Sequence, residues 1–227
     1  MQKIAPPKSI ESLLHRAHAL SGRKLAEIAA ECRQPIPSSQ KRAKGWIGQL
    51  LELALGADGG SQALHDFLAL GVELKSLPIA ENGYARESTY VCTVPLTDLT
   101  GCSWSESWIA RKLHRVLWIP VEAFRHQSLG ERRVGQPILW QPNSWETSAL
   151  QADWEELVEF IALGDVEEIN GQFGQYLQIR PKAADAKARR LGINVDGYNS
   201  LTLPRGFYLR PKFTKQILDR NLYFVSE

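Results

Sequence analysis

Three residues on one short apolar segment have types and a spacing that could do chemistry together. In "HDFLALGVELKSLPI", residues 65–79, six residues separate Asp66 from Glu73, and Lys75 follows two positions later. Side chains alternate along a β-strand, so Glu73 and Lys75 would share one face while their apolar neighbours face the core. A turn ahead of the strand could bring Asp66 back beside Glu73.

Convergent carboxylates and a lysine suit attack on a phosphate group. Carboxylate oxygens are ligands that Mg²⁺ favours, and the ion lowers the pKa of a bound water and neutralises charge on the phosphate. A lysine on the same face could hold that water or stabilise the transition state. Glu52, in the middle of the apolar helix "QLLELALG", is a further carboxylate that is exposed, partnered or a metal ligand. By itself, the pattern also fits an exposed hairpin with an ion pair.

Motifs of other common chemistries are missing from the sequence. The five histidines show no HExxH or paired Cys/His spacing, which argues against zinc, and His65 is interpreted as a loop residue. No GxxxxGK[ST], no GxGxxG after a strand and no GxSxG is present, so nucleotide-dependent chemistry and a nucleophile elbow lack support.

The composition is that of a globular domain outside the membrane. Of 227 residues, 44% are hydrophobic and 23% charged, and no run of apolar residues is long enough to span a bilayer. The N-terminal segment lacks the apolar core of a signal peptide. Three widely spaced cysteines (Cys32, Cys92 and Cys102) indicate reduced thiols. We therefore expect a cytoplasmic protein.

Charge is unevenly distributed along the chain. Residues 145–169 contain eight acidic residues and no lysine or arginine, whereas residues 171–227 contain ten basic and four acidic residues. The basic section would suit a polyanion, although each block could also be a solvated face.

Hydrophobic periodicity predicts helices, then a mixed sheet, then helices and strands again. Ser9 and Gly22 should cap and end the first helix, and Asn82-Gly83 should turn one strand back onto the next. Helices are expected near 24–33, 45–56, 149–163 and 212–222, and strands near 70–79, 88–96, 115–123, 133–140, 174–181 and 205–211. The segment 115–123 should be buried on both faces. This order indicates an α/β or α+β fold.

The Asp66, Glu73 and Lys75 pattern resembles the metal-site motif of the restriction-endonuclease-like superfamily. Longer blocks resemble one member family, MutH, the strand-discriminating endonucleases of methyl-directed mismatch repair. In chain order these are "KGWIGQLLELALGA", "DFLALGVELKSLP", "RKLHRVLWIPVE", "RRVGQPILWQPN", "DWEELVEFIALG", "YLQIRPKAADAKA" and "LTLPRGFYL".

This resemblance implies an α/β fold with a restriction-endonuclease-like core, in which helices flank a mixed β-sheet. Residues 1–227 would form one nuclease domain with two lobes and DNA in the cleft, a catalytic lobe including 45–120 and a DNA-reading lobe including 171–227. It also implies an enzyme that needs Mg²⁺ and nicks the unmethylated strand of GATC sites in double-stranded DNA, 5′ of the G. MutL would activate it after MutS finds a mismatch. We expect a monomer, since nicking one strand requires one active site.

The resemblance also assigns roles to single residues. Asp66 and Glu73 become metal ligands, Lys75 the catalytic lysine, and Glu52 an additional active-site acid that could bind the metal. Lys112 would couple DNA binding to catalysis. Three further residues would meet DNA and sense adenine methylation: Arg180, Lys182 and Tyr208.

Four positions depart from the family pattern: Ala43, the position two residues before Asp66 (next to His65), Trp108 and Ala110. None removes a proposed metal ligand, but they affect flanking DNA contacts and site preference. Two alternatives remain open: a methylation-sensing DNA-binding protein without cleavage activity, and a related restriction enzyme with another target.

Overall fold

The computed structural model describes residues 4–38, 45–60, 64–99, 101–182 and 187–222. The helices are α1 (Ile10–His18), α2 (Leu25–Glu31), α3 (Trp46–Leu55), α4 (Trp108–Leu113), α5 (Ser144–Ala162) and α6 (Pro211–Leu222). The strands are β1 (Glu73–Ile79), β2 (Thr89–Thr93), β3 (Val116–Glu122), β4 (Ile138–Trp140), β5 (Leu177–Pro181), β6 (Arg190–Ile193), β7 (Asn199–Thr202) and β8 (Arg205–Leu209). Within these ranges no helix has the length and apolar character of a membrane span. Ala43 lies outside the described residues.

The chain divides into two compact units, and neither is one continuous stretch. Residues up to Arg86 group with 115–141 in the first unit, and residues 87–114 group with 142–220 in the second. The first unit therefore contains α1–α3 with β1, β3 and β4, and the second contains the remaining elements.

A small mixed sheet forms the centre of the first unit. β1 runs parallel to β3, and β4 pairs antiparallel with β3 on its other side. The prediction that 115–123 is buried on both faces is confirmed, because Val116 through Ile119 are all at most 1% exposed. One face of the sheet packs against α1–α3 in a core that includes Leu13, Leu25, Leu50, Val72, Leu74, Leu117 and Ile119. This leaves the opposite face of β1 to Glu73 and Lys75.

The first helix begins as predicted but ends earlier. The Ser9 hydroxyl accepts from the Ser12 N–H at 3.2 Å, which caps the helix. The predicted end at Gly22 is wrong, since α1 ends at His18. Gly22 lies in the following turn with φ +78°, where its N–H donates to the Val134 carbonyl at 2.7 Å.

The second unit contains an antiparallel sheet in the order β2-β8-β5 and a separate β6-β7 hairpin. α5 packs against β5. The acidic face expected on α5 is only partly solvated, since Glu146 and Asp153 are 4% and 7% exposed. Each is partnered: Glu146 forms an ion pair with Arg220, and Asp153 accepts backbone hydrogen bonds at the start of β5.

The predicted hairpin between 70–79 and 88–96 is wrong. The turn itself forms, with Gly83 at φ +80° and the Ala80 N–H bonded to the Tyr84 carbonyl at 2.9 Å. However, β1 pairs with β3, while β2 pairs with β8 in the other unit. Turn chemistry is local, whereas strand pairing depends on which distant segment completes the burial of a strand's apolar face.

The predicted strand 133–140 is also shorter than expected, because only Ile138–Trp140 forms a ladder with β3. Pro137 precedes it and has no N–H to donate, so the ladder does not extend through this residue. Val134 makes only an isolated bridge to Val121.

Candidate active site and DNA-reading face

A tight turn positions Asp66 next to the first strand. The Phe67 N–H donates to the Val72 carbonyl at 3.0 Å, and the Val72 N–H donates back to the Phe67 carbonyl at 3.3 Å. Asp66 Oδ2 then accepts from the Leu74 N–H at 2.7 Å. The carboxylate of Asp66 therefore lies against the peptide that joins Glu73 to Leu74.

Backbone bonds anchor Asp66 from the other side as well. Its carbonyl accepts from the N–H groups of Asp58 and Gly59, at 2.9 and 3.0 Å. No side chain fits at Gly59, because a Cβ there would lie 1.9 Å from the carbonyl oxygen of His65. Residues 58–59 can therefore pack against residues 65–66 only with glycine at position 59, and this packing holds Asp66 in place.

Glu73 and Lys75 form an ion pair on one face of β1. Lys75 Nζ donates to Glu73 Oε1 at 2.6 Å, and the two side chains are 17% and 3% exposed. The Glu73 N–H donates to the Arg115 carbonyl at 3.0 Å, which ties the first residue of β1 to the start of β3. A buried carboxylate without a counter-charge is costly, and Lys75 supplies that charge.

Glu52 lies on α3, the helix that packs against β1. The residue is half-buried, and its carbonyl accepts from the Gly56 and Ala57 N–H groups at the helix end. Gly56 adopts φ +79° there, which ends the helix one turn after Glu52. Glu52 is thus held on an element that contacts the strand of Glu73 and Lys75.

The predicted metal ligands provide hard oxygen donors but not a complete coordination sphere. Across the described ranges, no three His, Cys, Asp or Glu side chains are grouped closely enough to hold a metal ion. Mg²⁺ is commonly bound through one or two carboxylates together with waters and substrate phosphates. Asp66, whose carboxylate is bonded to the Leu74 N–H, and Glu73, the residue before Leu74, would provide the two carboxylates of such a site.

Lys112 belongs to α4 in the second unit. It is 8% exposed, with its Nζ 5.3 Å from the centre of the Trp108 ring. Arg111 also lies over this ring, at 5.4 Å. Trp108, one of the departures from the family pattern, therefore contacts both cations, and Ala110 lies in the same short helix.

The structure brings Arg180, Lys182 and Tyr208 together at one sheet. Arg180 and Tyr208 lie on the neighbouring strands β5 and β8, with the guanidinium 5.7 Å from the centre of the Tyr208 ring. Lys182 directly follows β5, and its Nζ lies over the ring of Tyr90. We call the surface formed by these residues the reading face.

Tyr90 also belongs to the reading face, although the sequence predicts no role for it. It is directly opposite Tyr208 in the β2-β8 ladder, and the two rings meet edge to face with centroids 5.4 Å apart. Gly206 permits this contact, since a Cβ there would lie 2.9 Å from the Tyr90 ring. The segment "STYVCT" predicts a strand, but the Asn82-Gly83 turn predicts the wrong partner for it.

Burial of the Tyr208 ring raises the pKa of its phenol, and Tyr90 raises it further, while Arg180 lowers it. The net direction is upward from a usual value of about 10. The phenol is therefore protonated at neutral pH and keeps its O–H donor.

Comparisons with known proteins agree over almost the whole chain. A sequence model of the family described as "DNA mismatch repair enzyme MutH" matches residues 55–153. The chain is 50% identical over 220 residues to proteins named "DNA mismatch repair protein MutH" from Shewanella baltica, Shewanella oneidensis and Shewanella sp. strain MR-7. Each alignment covers 97% of this chain and 99% of the relative. The match therefore spans both the Asp66 turn and the strands of the reading face.

Proposed function

Because the chain belongs to the MutH family of DNA mismatch repair endonucleases, we propose that it nicks the unmethylated strand of hemimethylated GATC sites. Cleavage is 5′ of the G, depends on Mg²⁺ and yields a single-strand break. MutL activates the reaction once MutS has found a mismatch. The protein acts as a monomer, because one active site suffices for one strand.

The observation that carries this proposal is the arrangement around β1. The Asp66 carboxylate lies at 2.7 Å from the Leu74 nitrogen, and Lys75 Nζ lies at 2.6 Å from Glu73. The Asp66 carboxylate thus lies at the backbone N–H of Leu74, the residue between the ion-paired Glu73 and Lys75. A protein that only bound DNA would gain nothing from carboxylates facing phosphates, since like charges repel.

Asp66 and Glu73 would hold the metal, with Glu52 on α3 as a further acid. A bound Mg²⁺ supplies charge neutralisation at the scissile phosphate and a water of lowered pKa. Lys75 would donate a hydrogen bond to the attacking water or to the developing charge on phosphate. Its contact with Glu73 orients the ammonium group before DNA arrives. Lys112, on α4, would couple DNA binding to catalysis.

The reading face supplies the choice of sequence and strand. The Arg180 guanidinium can donate to O6 and N7 of guanine in the major groove, and Lys182 adds a cation that phosphate attracts. Tyr208, packed between Tyr90 and Arg180, can accept adenine's amino group nearby and exclude an added methyl. Discrimination by exclusion needs a rigid wall, and the Tyr90 contact provides one.

Strand-resolved cleavage of a hemimethylated GATC duplex with Mg²⁺ and MutL tests the proposal. The expected product is a nick 5′ of the G in the unmethylated strand, which disappears with EDTA and in Asp66→Ala. Asp66→Ala should still bind the duplex, because Asp66 is not on the reading face. Binding without any nick in the wild type would favour a non-catalytic sensor, and double-strand cutting at another sequence would favour a restriction enzyme.

A further inference from the structure

An open cavity of about 800 Å³ adjoins the reading face. Arg180 lies on its wall, and so do Ser88, Gln178 and Lys212. Two acidic residues also line it, but both accept backbone hydrogen bonds: Asp153 from the start of β5, and Glu156 from Gly174. Gln178 and Ser88 have no part in the function proposed above.

Gln178 occupies a central place among the reading residues. It is directly opposite Tyr208 in the β5-β8 ladder. Side chains alternate along a strand, so Gln178 shares its face of β5 with Arg180, two residues further on. The amide therefore lies beside both the tyrosine that is proposed to meet adenine and the arginine that is proposed to meet guanine.

A hydrogen bond orients the Gln178 amide. Gln178 is 8% exposed, and its Nε2 donates to the Ser88 hydroxyl oxygen at 2.7 Å. This bond uses one of the two amide hydrogens. This bond restricts the rotation of the amide. Both Gln178 and Ser88 line the cavity.

A fixed carboxamide is chemically matched to one base. The side-chain amides of Gln and Asn can pair with adenine in the major groove, accepting from N6 and donating to N7. In GATC the adenine follows the guanine directly, so neighbouring side chains on one strand face are suited to neighbouring bases. A site built to hydrogen-bond a group discriminates strongly against an analogue that lacks it.

We propose that Gln178 is a specificity-determining residue that contacts the N6/N7 edge of the adenine in GATC, and that Ser88 is its positioning residue. This inference rests on the proposed function. It adds a direct reader of adenine to the exclusion of the methyl group by Tyr208. Adenine recognition and methylation sensing would then be carried by two different side chains.

The test is a cycle of two changes, Gln178→Met in the protein and 7-deazaadenine in the GATC site, which replaces N7 by a carbon. With wild-type protein, 7-deazaadenine should lower kcat/KM for nicking roughly tenfold, as loss of a base contact does. Gln178→Met should lower kcat/KM by a similar factor on normal DNA. On 7-deazaadenine DNA, Gln178→Met should cause a smaller loss than on normal DNA, because the N7 contact is already missing and only the N6 contact remains to be lost.

Controls separate this role from a structural one. Gln172→Met, at an exposed glutamine of the same cavity, should leave the 7-deazaadenine effect of the wild type unchanged. Ser88→Ala should reduce that effect without abolishing it. If the fold-loss from Gln178→Met and the fold-loss from 7-deazaadenine multiply when the two changes are combined, Gln178 only supports the fold. The inference is then overturned. If wild-type protein does not nick normal GATC DNA at all, the proposed function itself fails.

Discussion

At the scale of single residues, the pair of Glu73 and Lys75 combines stability with chemistry. Glu73 is almost fully buried, and its side chain pairs with Lys75 at 2.6 Å. Removing one partner of a buried pair leaves an uncompensated charge, whereas replacing both partners is far less costly. The same contact that would orient Lys75 in the proposed reaction therefore also determines how well β1 tolerates substitution.

We expect Lys75→Met to lower the free energy of unfolding by about 3 kcal/mol, because the buried Glu73 carboxylate then loses its ion pair with Lys75. The double variant Glu73→Gln/Lys75→Met should recover most of that loss. Urea unfolding in EDTA measures both, since chelation prevents a metal ion from replacing the lysine. Equal destabilisation of the single and double variants would show that the two side chains are not coupled.

At the scale of elements, Asp153 on α5 stabilises the start of β5 by accepting backbone hydrogen bonds from it. Its carboxylate accepts from three consecutive backbone N–H groups, those of Gln175, Tyr176 and Leu177, at 2.7, 2.5 and 2.7 Å. One buried acid on a helix thus satisfies the donors of the segment that enters the strand. Arg180 lies on this strand, so the bonds also set the position of a reading residue.

Asp153→Ala should lower the free energy of unfolding by about 3 kcal/mol or more, because buried N–H groups lose their acceptor at about 1–3 kcal/mol each. Urea unfolding measures this loss. Glu155→Ala, at an exposed acid of the same helix, should change it by no more than about 0.5 kcal/mol. Similar losses in the two variants would mean that the three bonds do not stabilise β5.

The side chain of Glu167 contacts both β7 and β8, and these contacts should weaken when acid protonates it. It accepts from the Thr202 hydroxyl and pairs with Arg205 at 2.7 Å. The hydrogen bond from Thr202 is the main cause that lowers the pKa of Glu167 below 4.5, and Arg205 and Arg189 lower it further. A lowered folded-state pKa stabilises the protein above the unfolded pKa, and this stabilisation is lost as pH falls through the folded pKa.

Glu167→Gln should therefore be less stable than the wild type at pH 7, and the difference should shrink when unfolding is repeated near pH 3. The neighbouring exposed Glu168→Gln serves as the control and should show no such pH-dependent difference. A difference for Glu167→Gln that stays constant between the two pH values would contradict the role assigned to its charge.

Local elements could be predicted from the sequence, but their partners could not. The alternation at Glu73 and Lys75, the cap at Ser9 and the apolar run of β3 are all properties of neighbouring residues. The pairing of β2 with β8 joins segments far apart in the chain, and an Asn-Gly turn next to β2 suggested a nearer partner. The sequence predicts no role for Tyr90 or Gln178 for the same reason, because each lies next to Tyr208 only through strand pairing.

At the scale of the whole molecule, charge is concentrated where the DNA-reading residues lie. Ten of the 27 lysines and arginines fall in residues 171–227, although the net charge is only +2. Binding to a polyanion releases counterions, so affinity should fall steeply with salt. The individual cations of the reading face should differ in whether they contribute this general attraction or base recognition.

Lys182→Gln should weaken binding to GATC and to unrelated duplexes equally, and should reduce the slope of log affinity against log salt by about 1. If Arg180 reads a base as proposed, Arg180→Gln should instead weaken binding chiefly at GATC, by about 1–3 kcal/mol. Fluorescence anisotropy over a salt series distinguishes the two. Identical effects of both variants on both duplexes would mean that Arg180 also acts only on phosphate.

The separation of β2 from β8 along the chain has a consequence for synthesis on the ribosome. β2 ends at Thr93, but its partner β8 begins only at Arg205. At about 5–20 residues per second, the nascent β2 waits on the order of ten seconds for its partner. During that interval its backbone donors and its apolar face are open to other nascent chains, so the yield of soluble protein should depend on chaperones that shield this segment.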